Sequence, residues 1–179
     1  MTSAALLEIA LPDDRTMVAT RTFEAPRPAL FDAWTRPALL RRWYGPPGWS
    51  LAVCEIDLQV GGRWRFVMRD PDGREIGLHG SYRELTPTRI VNTESWEDWD
   101  PGECIVTTDF TARDGRTTLT NTVVYPTPRG AADPARLVAR GRPRLELRAA
   151  GRAAGRHHME LTDIRCAARR HAKREAMST

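Results

Sequence analysis

Apolar and polar residues alternate most clearly where Trp64, Phe66 and Met68 are interleaved with Arg63, Arg65 and Arg69. A period of two places the bulky side chains on one face of a strand and the guanidinium groups on the other, so this segment predicts a half-buried strand. Pro71-Asp72-Gly73 follows as a hairpin turn. Strands of the same kind are predicted at Met17 to Phe23, Leu51 to Leu58, Ile76 to Glu84, Arg89 to Glu97, Glu103 to Arg113 and Arg116 to Tyr125. Asp114-Gly115 joins the last two as a hairpin, and Gly61-Gly62 marks a sharp bend before Trp64. Helical spacing is confined to two short stretches. Leu30, Phe31 and Trp34 share a face in Arg27 to Trp34, and Leu39, Leu40 and Trp43 do so after the break at Pro37. Short turns between successive strands argue for one antiparallel meander with the helix pair over part of its apolar face, an α+β fold. A further helix, from beyond residue 126, is expected to close the remainder.

Composition divides the chain in two. Residues 1–126 contain 14 Arg against 18 acids and all 13 aromatic residues, whereas residues 127–179 contain 12 Arg and the chain's one Lys against 5 acids, with no aromatic residue. The overall charge of +4 therefore averages an acidic body and a basic tail. No apolar run approaches the roughly 18 residues of a membrane-spanning helix. The opening MTSAALLEIALPDD lacks the basic start of a signal peptide. Cys54, Cys104 and Cys166 are odd in number and far apart, which indicates neither a disulfide framework nor a zinc knuckle and fits a reducing cytoplasm.

The runs RTFEAPRPALFDAWTRPALLRRWYGPPGW (Arg21 to Trp49) and CEIDLQVGGRWRFVMRDPDG (Cys54 to Gly73) resemble the activator-of-heat-shock-protein-90-ATPase homologue domain, a member of the START-like helix-grip (SRPBCC) superfamily. Matching pieces are the Ala-Pro after the first strand, the Ala-Trp-Thr of the first helix, the Trp-Tyr-Gly-Pro turn and the Gly-Gly before the aromatic strand. Gly80 to Glu103 and Asp114 to Pro126 continue the likeness. The resemblance implies a curved seven-stranded sheet gripping a long C-terminal helix, with a cavity between them for an apolar or aromatic small molecule. It divides the chain into a leader at 1–14, the START-like domain at 15–126 and a basic tail at 127–179. It also implies a second candidate partner, a chaperone ATPase, and a third reading as a cyclase- or hydratase-type enzyme.

The tail departs from the expected leucine-rich helix. Pro128, Pro134 and Pro143 and four glycines interrupt it, and no apolar stripe is sustained. One permitted codon spelling of Leu145 to Gly155, read one base later, gives SSYERLDELLA, which has leucines at helical spacing. Either the segment is a genuine tail or a single-base insertion or deletion upstream of residue 145 has shifted its frame. The coding DNA around residues 127–155 separates these. A product without its gripping helix is expected to leave Trp64 and Phe66 wet.

The cavity is expected to draw on Trp34, Trp43, Trp49, Trp64, Phe66, Met68, His79, Tyr82, Glu94 and Trp96. Indole suits a flat ligand, although packing is the commoner use of a tryptophan. His79 would titrate near neutrality if a carboxylate such as Glu94 lay across from it; its ordinary use is as a surface or partly buried histidine. The acidic run Glu94 to Glu103 lacks the spacing of a calcium loop, and His157, His158, Cys166 and His171 match no zinc finger. Neither a metal nor any other cofactor is expected. Without aromatic interleaving the basic tail implies no specific nucleic-acid partner, and Cys54 and Cys104 read as inert packing residues. No nucleophile triad, phosphate loop or dinucleotide fingerprint is present, so the expectation is a binding domain and not an enzyme.

Overall fold

The structure, a computed structural model, describes residues 7–97 and 102–128. Its elements are β1 (Glu8–Ala10), β2 (Thr16–Phe23), α1 (Arg27–Thr35), α2 (Pro37–Leu40), β3 (Ser50–Ile56), β4 (Arg63–Arg69), β5 (Glu75–Thr86), β6 (Arg89–Trp96), β7 (Cys104–Arg113) and β8 (Arg116–Val124). All strands pair antiparallel in one open sheet of order β1-β2-β8-β7-β6-β5-β4-β3. This is the α+β helix-grip architecture that the sequence implies.

Prolines set the helix limits. Pro26, extended at φ −69° and ψ 150°, is the N-cap of α1, and Pro28 lies in its first turn, where its missing N–H leaves no bond unmade. Arg36, immediately before Pro37, is extended at φ −94° and ψ 119°, so α1 stops and α2 starts afresh. The Trp43 indole N–H donates to the Ala33 carbonyl at 3.0 Å and ties the two helices together. The Thr117 hydroxyl on β8 donates to the Ala25 carbonyl at 2.8 Å and anchors the start of α1 to the sheet.

Residues of one parity make the inner face. Phe110 on β7 pairs with Leu119 on β8, and its ring packs edge-on against Phe31 and Trp34 of α1 at 5.8 and 6.1 Å. On β4, Trp64, Phe66 and Met68 are all buried in the main core. Trp64 and Phe66 are only 4% and 7% exposed; the condition under which they were expected to be wet, a missing gripping helix, concerns the segment from residue 129 onward, outside the described residues. Tyr44, from the turn after α2, meets Phe66 edge-on at 4.9 Å, and Trp64 lies 4.8 Å from Phe66.

The outer face carries charge. Arg65 is paired with Glu97, Arg83 with Glu103 and Arg89 with Asp109, all partly exposed. The free edge of β3 is blunted by Arg41, whose guanidinium donates to the Leu51 and Ala52 carbonyls at 2.7 and 3.1 Å.

The segment expected to be a leader differs from expectation in one respect: Glu8–Ala10 forms an eighth strand paired with β2. The tail from residue 129 onward, with its expected helix, its frame and its histidines and Cys166, lies outside the described residues, as does the centre of the acidic run at 98–101.

Candidate functional site

One cavity lies against the inner face of β4 to β8 and the two helices. Its free volume of about 90 Å³ is several times the roughly 15 Å³ that one water requires, more than a close-packed core leaves empty. Of the residues expected there, Trp34, Trp43, Trp64, Phe66, Met68, Tyr82, Glu94 and Trp96 are in its wall. The Trp34 and Trp43 rings meet at a tilt of 38° with their centroids 4.5 Å apart, a pairing set by the contact between α1 and the turn after α2.

Trp49 and His79 are not in the wall. Trp49 follows the Gly45 to Gly48 turn and packs on the core margin, with the Arg74 guanidinium 5.8 Å from its ring. His79 fails for a reason of phase. Leu78 points inward and is 1% exposed, so its neighbour points out, between Arg65 and Ser95 on the flanking strands. The carboxylate on its side of the sheet is Glu97, which is bonded to Arg65; Glu94 is on the opposite face. The expected His79–Glu94 pair therefore does not form.

Two glycine contacts shape the wall. The Gly62 carbonyl accepts from the Tyr82 N–H at 2.9 Å, and the Gly61 N–H donates to the Tyr82 carbonyl at 2.8 Å, so the Gly-Gly bend fixes the backbone that carries Tyr82. Gly80 pairs with Trp64 across β4 and β5, and a β-carbon there would sit 2.9 Å from the indole nitrogen. The indole thus occupies the space of the missing side chain.

The chemistry of the wall is apolar with neutral polar points. Burial, and then the negative potential of Glu94, hold the Tyr44 hydroxyl well above the usual phenol range, with smaller effects from Cys54 and Tyr82. Burial and then Cys54 raise Tyr82 as well. Both phenols therefore act as neutral hydroxyls near neutral pH. Cys104 is pushed up to about 12 by burial, Glu94 and Glu103, and burial raises Cys54 against the opposing effect of Arg41. Neither thiol has the depressed pKa of a nucleophile. Glu94 is 6% exposed and is the one acidic side chain in the wall; no Arg, Lys or His lines it among the described residues.

Sequence reasoning missed Tyr44, Asn92, Thr108 and Asn121, all in the wall. Asn121 had a readable signal. It interrupts the buried series Thr117, Leu119, Val123 at the same parity, and a polar amide at an inward position is unusual.

The model of the family described as "Activator of Hsp90 ATPase homolog 1-like protein" matches residues 24–151, running past the composition break at Pro126. A protein of solved structure from Rhodobacter sphaeroides is 31% identical, with 72% of this chain and 84% of that one covered at a TM-score of 0.64. Proteins from Mycobacterium smegmatis and Nitrosomonas europaea are 20% and 18% identical, each covering 90% of this chain and 96% and 99% of their own at a TM-score of 0.67, a likeness of fold. No curated protein matches the chain. The match over most of its length, together with the sheet, the helix pair and the aromatic wall, places the chain in the activator of Hsp90 ATPase homolog 1-like family, with the START-like helix-grip fold.

Proposed function

We propose that the protein binds a small apolar or aromatic molecule in the cavity over β4 to β8 and performs no covalent chemistry on it. The observation that carries this reading is the wall itself, in which Trp34, Trp43, Tyr44, Trp64, Phe66, Tyr82 and Trp96 surround a void. Aromatic side chains contribute large contact areas at little cost in conformational entropy, and a few polar groups then orient the guest. Burying a ring compound removes apolar surface from water at about 25 cal/mol per Å². Binding should perturb the indoles directly, because four of the six tryptophans line the void. Titration with a panel of hydrophobic fluorophores and aromatic metabolites should quench or shift the tryptophan emission saturably; a panel that leaves it unchanged contradicts the reading.

The family description favours a second reading, a surface that stimulates a chaperone ATPase. Failure to retain the chaperone in a pull-down, with an unchanged ATPase rate, removes it. A cyclase- or hydratase-type reading loses His79, which faces outward, and would rest on Glu94.

A further inference from the structure

A second void lies where the start of α1 meets the turn after β3 and the end of β5. Its free volume is about 390 Å³, against about 90 Å³ for the aromatic cavity, and falls within the roughly 300–1,000 Å³ of small-molecule pockets. Arg27, Pro28, Phe31 and Asp32 of α1 line it, and spacings of one, four and five residues set them along one side of the helix. Leu58 comes from the turn after β3, and Leu85, Thr86 and Pro87 from the end of β5 and the turn that follows. The apolar part of this wall is aliphatic apart from Phe31, whose ring is already engaged edge-on by Phe110.

Backbone hydrogen bonds hold the groove open. The turn that carries Leu58 is closed by the Asp57 N–H donating to the Arg63 carbonyl at 2.8 Å and the Gly62 N–H donating to the Gln59 carbonyl at 2.9 Å. The turn after β5 is fastened to β7 by the Phe110 N–H, which donates to the Thr88 carbonyl at 2.8 Å. Leu58 is nonetheless 44% exposed, and Val60 in the same turn is 65% exposed. A guest would cover apolar surface without first ordering the chain around it, which removes one of the main costs of binding.

Charge selects the guest. Asp32 is bridged to Arg36 at 3.0 Å, so its carboxylate is compensated within α1. Arg27 makes no ion pair or side-chain hydrogen bond among the described residues. It stands at the positive end of the helix dipole, so the uncompensated charge of the groove is positive.

We propose that this groove is a second ligand site, separate from the aromatic cavity, for a free single-chain aliphatic molecule whose anionic head pairs with Arg27.

Calorimetric titration of the full chain with octanoate, octanol and octylammonium tests it. Octanoate should bind about tenfold tighter than octanol, the gain from one charge-assisted hydrogen bond, and octylammonium more weakly than octanol. Arg27→Gln should bring octanoate to the affinity of octanol. Leu58→Glu, which adds a carboxylate to the groove, should weaken octanoate by about tenfold or more. An excess of a fluorophore that quenches the tryptophan emission should leave octanoate affinity unchanged, because the described wall of the groove holds no tryptophan. The inference is overturned if octanoate binds no tighter than octanol, if neither substitution alters its affinity, if the fluorophore displaces it, or if no probe binds. It falls also if sedimentation shows that Leu58→Glu splits a dimer while octanoate affinity stays the same, since the groove is then an interface between copies. Circular dichroism confirms the fold of each variant; should one fail to fold, the other decides together with the native series.

Discussion

Phe110→Ala is expected to destabilise the protein by about 3–5 kcal/mol, the range for removing a fully buried aromatic ring. Phe110 is 1% exposed, and its ring is where the helix layer meets the sheet. It is held edge-on by Phe31 and Trp34 from α1 and lies opposite Leu119 on β8. Its loss removes the transfer free energy of the ring and leaves a hole that α1 cannot easily fill. The N-cap of α1 is a proline without a side-chain hydrogen bond, and its start is fixed by the Thr117 bond to Ala25. Against a total of about 5–15 kcal/mol for a domain, the loss is a large fraction. Because Trp34 also forms part of the cavity wall, ligand affinity should weaken in the same variant. Urea denaturation followed by tryptophan emission measures the first effect. A loss under about 1 kcal/mol would mean that Phe110 does not hold the layers together. Phe110→Leu, which keeps most of the buried volume, should recover more than half of the loss.

The legibility of this fold followed from phase. Along β4, Trp64, Phe66 and Met68 declare their face by alternation, and the count through Pro71-Asp72-Gly73 sets Phe66 opposite Leu78. The same count sends His79 outward, so its exclusion from the cavity was available from the sequence once the hairpin register was carried across. Asn121 was legible in the same way: Arg113 and Arg116 pair across the Asp114-Gly115 turn, and stepping back along both strands sets Thr108 opposite Asn121 on the inner face. Asp114 and Gly115 adopt φ 51° and 73°, the left-handed pair that a two-residue hairpin requires. Trp49 carried no such signal. It lies in the link between the Gly45 to Gly48 turn and β3, where no period relates its side chain to a face, and six tryptophans in one composition do not say which of them share a wall. β1 was unreadable for another reason. Its three residues are all exposed, so it buries no face and leaves no alternation, and only its pairing with β2 holds it. Tyr44 stood inside the Trp-Tyr-Gly-Pro turn, but it became a wall residue only through its tertiary approach to Phe66.

Gly80→Ala should act on stability and binding together, which distinguishes it from an ordinary glycine replacement. A β-carbon at Gly80 would overlap the Thr93 carbonyl oxygen on β6 and sit 2.9 Å from the Trp64 indole nitrogen. The first obstacle is backbone and cannot rotate away. The Thr93 side chain is itself tied down, accepting from the Ser81 N–H at 3.0 Å, so β5 and β6 would have to part where they are laced together. Overpacking of this kind costs about 1–3 kcal/mol or more. The second obstacle moves the indole, and with it part of the cavity wall, so the affinity for a hydrophobic fluorophore that quenches the tryptophan emission should weaken. Gly73→Ala is the matched control. Gly73 has φ +85°, but nothing lies within 4 Å of its added carbon, so it should show only the conformational cost, about 1–2 kcal/mol, with ligand affinity unchanged. Chemical denaturation and the fluorophore titration run on both variants separate the two causes. If Gly80→Ala loses stability while retaining full fluorophore affinity, the indole is not seated by Gly80. If it matches Gly73→Ala in both measurements, the close approach of Thr93 and Trp64 is not what demands glycine at this position.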